Sequence, residues 1–372
     1  MLCQRGRRVA GRGRCGRVVT VEARAHVAWQ LRDQGLSCAA MGSPLYAGLL
    51  ERAAADVESG GPCWSVLSAD VRPGRGDAMA LRFLAAVHRL VLTGRAPVLA
   101  AHYPSAGGLA GAEAWTAFRA VVADHADELR ALTLLPCQTN EVGRCAPLAV
   151  GFLRVAARTG LPLRLLEVGA SAGLNLRWDL FRYGCDRAPE AGVSWGDPAS
   201  PVDLTGLWRD APAELPERVV VQERSGCDLR PVDPTTEDGR LALTASVWAD
   251  QVVRFERLRG ALQLAGAVPV RVDQASLESW LPPRLAERPP GTAAVVFHSV
   301  VDEYLPAAVR ERFHETLREA GNRATTDAPL FWLRLEPLGS VREHGLTVTG
   351  WPGGEETLLA RSGAHGTDVT RA

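Results

Sequence analysis

A chain of 372 residues, 47% hydrophobic and 23% charged, has room for two domains and the make-up of an ordinary globular protein, which excludes wholesale disorder. Its 42 basic residues, every one an arginine, balance 42 acidic ones, so net charge gives no reason to expect nucleic acid or a membrane surface as partner. No apolar stretch is long enough to span a bilayer, and none follows the leading arginines as a secretory signal requires, so a cytoplasmic protein is expected.

Residues 1–21 form a basic leader with Arg5, Arg7, Arg8, Arg12, Arg14 and Arg17 and no acid before Glu22, which leaves the rest of the chain mildly acidic. It reads as a flexible tail, with a nucleic-acid-binding arm as the alternative. Over 22–160 apolar residues recur at three and four, as in 78–92 and 112–132, and predict a helical domain. Late in that stretch stands a polar cluster, 138–144. Thr139 or Asn140 is placed to cap a helix over 142–159, with Glu141 in its first turn; Asn140 and Arg144 could instead reach a cofactor or an anionic substrate.

Gly160-Leu161-Pro162 then leads into an apolar run, 163–168, that suits a central parallel strand covered on both faces. A helix near 174–181 follows, and 183–216, with Trp195 and Trp208, is either an insertion covering the cofactor edge or a long connection. Next come a strand near 218–222, a helix near 249–265, strands 268–272 and 292–299, a helix near 306–320 and a strand 329–335. Strands separated by helices of this length predict a parallel, doubly wound sheet over 161–372. Two short strands, 346–351 and 356–361, flank Pro352-Gly353-Gly354 as an antiparallel hairpin. The eight cysteines have no C-x-x-C spacing and no nearby histidine pair, so they indicate neither a disulfide framework nor a metal cluster.

The most informative segment is the bend after the run 163–168. Glu167, Gly169, Ser171 and Gly173 stand at every second position, and the glycines permit positive φ and close backbone approach where the chain turns towards a helix. The dinucleotide pattern G-x-G-x-x-G is absent, which disfavours a nicotinamide enzyme, and no Gly-Lys-Ser/Thr follows to make a phosphate loop. The spacing resembles instead the acid-x-G-x-G-x-G loop of class I S-adenosylmethionine-dependent methyltransferases, with Ser171 in place of the middle glycine; an ordinary tight turn is the plain alternative. In open α/β sheets ligands lie beyond the carboxyl ends of the strands. The methyltransferase resemblance then implies cofactor contacts from Glu167, Gly169, Ser171, Gly173 and Asn175. It puts Asp228, or failing that Glu223, on the ribose hydroxyls, and Asp273 beside the adenine amino group. His298, Asp302, Glu303 and Tyr304 fall where a methyl acceptor would lie, and His298, Asp302 and Glu303 are the candidates for removing its proton. For each of these the plain alternative is a buried histidine or a helix cap.

Four stretches, 138–144, 165–176, 226–234 and 351–356, identify the chain as similar to the DUF2332 family of bacterial proteins, over nearly everything after the leader. The expectation is therefore an α/β protein: a helical N-terminal domain over 22–160 and, over 161–372, a doubly wound Rossmann-like domain of the class I methyltransferase type ending in an antiparallel hairpin. S-adenosylmethionine is the expected cofactor, and the expected methyl acceptor is a small molecule or one of unknown kind. The competing expectation is a non-catalytic module of the same fold that binds a nucleotide-like metabolite or a protein partner.

Overall fold

The computed structural model describes residues 12–70, 78–135, 137–186, 192–340 and 342–372, and the side chains from residue 21 onwards. Most of the basic leader thus lies outside the described residues, although the backbone is already helical from Arg12. The chain divides into two compact units, residues 1–137 with 248–250, and residues 138–247 with 251–372.

Among the described residues the first unit holds helices and no strand: α1 (Arg12–Ala40), α2 (Pro44–Ser59), α3 (Pro62–Leu67), α4 (Met79–Leu92), α5 (Pro97–Ala100), α6 (Ala114–Asp124) and α7 (Ala126–Thr133). The expected helix over 112–132 is two helices, because His125 leaves the helical region at φ −116°. Leu31, Tyr46, Leu50, Phe83, Val87 and Phe118 fill the core, as the three-and-four spacing predicts. A short return of the chain belongs here too. Trp248 and Ala249 join this core, and Asp250 accepts hydrogen bonds from the Ser43 hydroxyl (2.6 Å) and the Leu45 N–H (3.0 Å). One orphan donor at the start of α2 is thereby satisfied by a residue some two hundred positions away.

The second unit opens with α8 (Cys145–Thr159), followed by β1 (Leu163–Val168), β2 (Arg182–Cys185), β3 (Ser194–Trp195), β4 (Asp203–Trp208) and β5 (Val221–Asp228). It continues through α9 (Glu237–Ala245), α10 (Val252–Ala267), β6 (Arg271–Gln274), α11 (Leu277–Ala286), β7 (Ala293–Ser299) and α12 (Ala307–Gly321). It ends in β8 (Leu330–Ser340), β9 (Glu343–Trp351), β10 (Glu355–Ser362) and β11 (Thr370–Arg371). The main sheet runs β11-β10-β9-β8-β7-β1-β5-β6, with β6, β5, β1, β7 and β8 parallel and the hairpin β9–β10 antiparallel beside them. Counted in chain order the parallel strands stand 3-2-1-4-5, so the connections reverse direction between β1 and β7. In such sheets that reversal opens the ligand crevice.

Alternation along the strands assigns the two faces. Leu163, Leu165, Val295, Phe297 and Leu333 pack with α8 and α10, whereas Leu166, Val168, Val296 and Trp332 pack with Trp280 of α11 and Phe313 of α12. Helices cover both faces, as a doubly wound sheet requires. Helix α8 belongs to this unit, so the division between units falls after Cys137 and not near residue 160.

Two local expectations are corrected. The strand placed near 218–222 runs instead over Val221–Asp228. Its first half is polar because its charges are matched: Glu223 pairs with Arg164 (2.5 Å) and Arg224 with Asp179 (2.5 and 2.7 Å). The excursion 183–216 builds a three-stranded sheet, β3-β2-β4, packed by ring stacking of Trp178 on Trp195 (5.1 Å) and Tyr183 on Trp208 (5.2 Å). Trp208 also donates to the Ala146 carbonyl of α8, so this segment is core and not a flap over the strand ends. Residues 187–191 of it lie outside the described residues.

Candidate functional site

The bend after β1 has the shape its glycines predict, with φ of +69° at Gly169, +52° at Ser171 and +65° at Gly173. Each glycine answers to a close neighbour: a Cβ at Gly169 would stand 2.7 Å from a Val301 methyl, and one at Gly173 2.8 Å from a Val272 methyl. Every backbone N–H from Gly169 to Leu174 has a protein acceptor. Gly169 and Ala170 donate to the Cys227 carbonyl, Ser171 to Asp228 Oδ2 (2.9 Å), Gly173 to Ala170, and Ala172 and Leu174 to Asn140 Oδ1 (3.3 and 2.9 Å). The bend therefore offers no free amide to a pyrophosphate. Ser171, where the resembling loop has glycine, is held in its left-handed conformation by that amide bond and by its hydroxyl, which donates to Gln138 Oε1 (2.8 Å).

The segment 138–144 thus does more than start a helix. Gln138 and Asn140 fasten the bend, and Gln138 Nε2 also donates to the Arg230 carbonyl. Asn140 does not cap; the turn 142–144 is capped by Glu141, whose Oε1 accepts from the Gly143 N–H (3.0 Å). Glu141 Oε2 meets Arg254 at 2.5 and 2.6 Å in a buried ion pair, and Arg144 donates to the carbonyls of Ala364 and Ser299. Asn175, buried, accepts from the Cys145 thiol (3.3 Å).

At the end of β1, Glu167 is 2% exposed and its Oε2 has no partner. Burial, then the charge of Asp228, push its carboxyl well above the ordinary range, and Arg177 offsets only part of this. Gly169, by contrast, is exposed, whereas residues 170–178 are buried. Asp228, at the end of β5, accepts the Ser171 N–H on one oxygen and the Arg230 N–H (2.8 Å) on the other. Asp273, at the end of β6, is taken up by Arg271 (2.6 Å), Arg284 (2.7 Å) and the Trp280 indole (2.8 Å). Burial disfavours its charge, but these donors win and hold its carboxyl below the ordinary range.

Late in β7, within β8 and on the turn after β7 a second polar group gathers. His298 is fully buried against Phe313 and Trp332, and its Nδ1 lies 2.8 Å from Glu336 Oε1. The same oxygen accepts the N–H of Val301 (2.9 Å) and of Asp302 (3.4 Å), so Glu336 fastens the turn after β7. That turn contains Val300 at φ +56°, a strained conformation for a β-branched residue. Burial opposes the charge of Asp302, yet His314, His298 and Arg334 together keep its carboxyl below the ordinary range. Glu303 is exposed at the turn; partial burial of its carboxyl and the nearby Glu336 raise it. Tyr304 is exposed beside it.

The structure thus gathers Glu167, Gly169 and Asp228 at the ends of β1 and β5, and His298, Asp302 and Glu303 at the end of β7 and on the turn after it, with Gly169 against a Val301 methyl. Asp273 sits farther out, beyond β6 on the sheet edge. A comparison with protein families matches residues 28–371 to DUF2332, described as an uncharacterized protein conserved in bacteria. The chain belongs to the DUF2332 family. No curated protein and no solved structure matches it.

For this DUF2332 chain, sequence reasoning passed over Glu336, His314, Arg254 and the fastening role of Gln138. Glu336 directly follows the expected strand 329–335, so the strand-end rule that selected Glu167 would have selected it too. His314 lies mid-helix and carries no such signal. Among the described residues no helix is long and apolar enough to cross a membrane.

Proposed function

We propose that this chain is an S-adenosylmethionine-dependent methyltransferase, with the cofactor at the β1–β7 crevice and its methionine ammonium on Glu167. One observation carries the reading: a buried carboxylate at the end of the central strand, under the exposed Gly169, with an oxygen that nothing in the protein satisfies. Buried acids are ordinarily paired, and an ammonium brings both the charge and the donors this one lacks. The occupied amides of the bend favour the same class of ligand, since they leave an acid and no phosphate cradle. Asp228 fits a role on the ribose hydroxyls, because a carboxylate has about four acceptor positions and two amides use only two of them. Asp273 fits the adenine poorly, being saturated by its own three donors.

The bound cofactor supplies an electrophilic methyl group; the protein supplies placement and a proton acceptor. Glu303 suits the second task, since it is exposed on the turn after β7 and its carboxyl is raised by partial burial and Glu336, which makes it a better proton acceptor. His298 and Glu336 hold the turn that carries it.

Calorimetric titration of the full chain with S-adenosylmethionine tests the reading. Binding is expected, and Glu167→Gln should weaken it about tenfold or more, the worth of a hydrogen bond to a charged group. No heat of binding at any accessible concentration rejects the proposal. Closure of the bend by Gln138 and Asn140 favours a second reading, a metabolite-binding module without turnover, which predicts cofactor binding but no methyl transfer.

A further inference from the structure

We infer that His298, Asp302 and Glu336 form a binding site for one divalent transition-metal cation at the carboxyl ends of β7 and β8. One ring nitrogen of His298 and one carboxylate oxygen each of Asp302 and Glu336 lie within 4.8 Å of one another. Three polar atoms of these residues are buried without a partner: His298 Nε2, Asp302 Oδ1 and Glu336 Oε2. Two carboxylates with unpartnered oxygens beside an imidazole in a desolvated place are a surplus of acceptors, which a cation held by His298 Nδ1, Asp302 and Glu336 relieves. His298 itself is fully buried, and its Nδ1 stands 2.8 Å from Glu336 Oε1, so a cation taken up here lies between that nitrogen and the carboxylate.

A fourth donor stands next to the group. His314 Nε2 is also buried and without a hydrogen bond, 3.7 Å from Asp302 Oδ2, so a small movement of α12 or of its side chain completes an N,N,O,O set. Mixed imidazole and carboxylate donors select zinc, cobalt, iron or manganese over magnesium and calcium. Atoms about 2.1 Å from a shared ion stand roughly 3 to 3.5 Å apart, so binding draws the three side chains inwards by side-chain rotation. Of the guanidinium groups whose charge reaches the cluster, Arg334 lies over the Trp332 ring at 4.2 Å and is paired with Glu356, and Arg144 donates to the carbonyls of Ala364 and Ser299. A cation here ties the strained turn after β7 to β8. The inference does not depend on the methyltransferase reading, because the ligands lie on the α12 side of the sheet and Glu167 on the α8 side.

The test uses the full chain, stripped with a chelator and titrated with Co2+ in the absence of S-adenosylmethionine. One Co2+ per chain is expected, with visible absorption and no thiolate band. Asp302→Asn and Glu336→Gln should each weaken binding about tenfold or more, and the rise in Tm that Zn2+ gives the unsubstituted chain should disappear in both. Where a variant fails to fold by circular dichroism, pulsed EPR of Mn2+ on the unsubstituted chain decides instead, through coupling to an imidazole nitrogen. Absence of stoichiometric binding, a thiolate band, affinity unchanged in both variants, or Mn2+ without nitrogen coupling each overturns the inference.

Discussion

Replacing the buried pair Glu141–Arg254 by the neutral pair Glu141→Gln/Arg254→Met should remove a defined part of the acid sensitivity of the sheet unit. Burial works to raise the Glu141 carboxyl, but Arg254 first, then His365, Arg144 and the Gly143 N–H, hold it at about 2 against an ordinary 4.5. A depressed carboxyl stabilises the folded state above its unfolded value and loses that contribution as the pH falls through the folded value. A depression of that size, at about 1.4 kcal/mol per unit, amounts to about 3 kcal/mol. Some 2 kcal/mol of it, on the order of two-thirds, is gone by pH 3. The assay is urea unfolding of both proteins at pH 6, 5, 4 and 3, followed by tryptophan fluorescence. Titrating groups away from the pair cancel in the difference between the proteins, whichever is more stable at neutral pH, and on His365 the two removed charges act in opposite senses. That difference should move by about 2 kcal/mol in favour of the variant between pH 6 and pH 3. A difference that stays flat over this range would mean that the ion pair does not set the Glu141 carboxyl, and the argument fails.

Glu167 should show the opposite slope. Its carboxyl is raised, so the unliganded protein loses stability as the pH climbs from the ordinary glutamate value through the folded one; Glu167→Gln removes that loss. The variant should melt higher at pH 8, by roughly 1–3 kcal/mol of stability, and the advantage should shrink at pH 5; an equal advantage at both would count against the unpaired carboxylate. Val300→Asn should stabilise by about 1 kcal/mol, since asparagine tolerates the left-handed conformation that costs a β-branched residue roughly 1–2 kcal/mol. A lower urea midpoint for this variant would show that Val300 contributes more by packing than it loses by strain.

The parts of this fold that were legible in the sequence are those written in local periodicity. β1 shows as an unbroken apolar run because both of its faces are covered, and β7 for the same reason. The hairpin β9–β10 shows because its turn needs Pro352, Gly353 and Gly354 together. β5 was misplaced because a strand whose charges are paired across to Arg164 and Asp179 looks, in sequence, like a loop. The role of 138–144 was hidden for a related reason: an asparagine before a helix reads as a cap, and nothing local says that its oxygen is taken by amides more than thirty residues on.

The amino-acid sequence determined, without help, that a helical region precedes a parallel α/β sheet and that a carboxylate-led bend follows the central strand. Side-chain alternation records which face of an element is apolar, and turn chemistry records where the backbone must take positive φ. Only the tertiary structure decided that α8 belongs with the sheet, that Trp248–Asp250 returns to the helical unit, and that Glu336 meets His298. Those contacts join residues far apart in the chain. Their energy depends on burial and on which donor faces which acceptor, and neither quantity is a property of a local stretch of sequence.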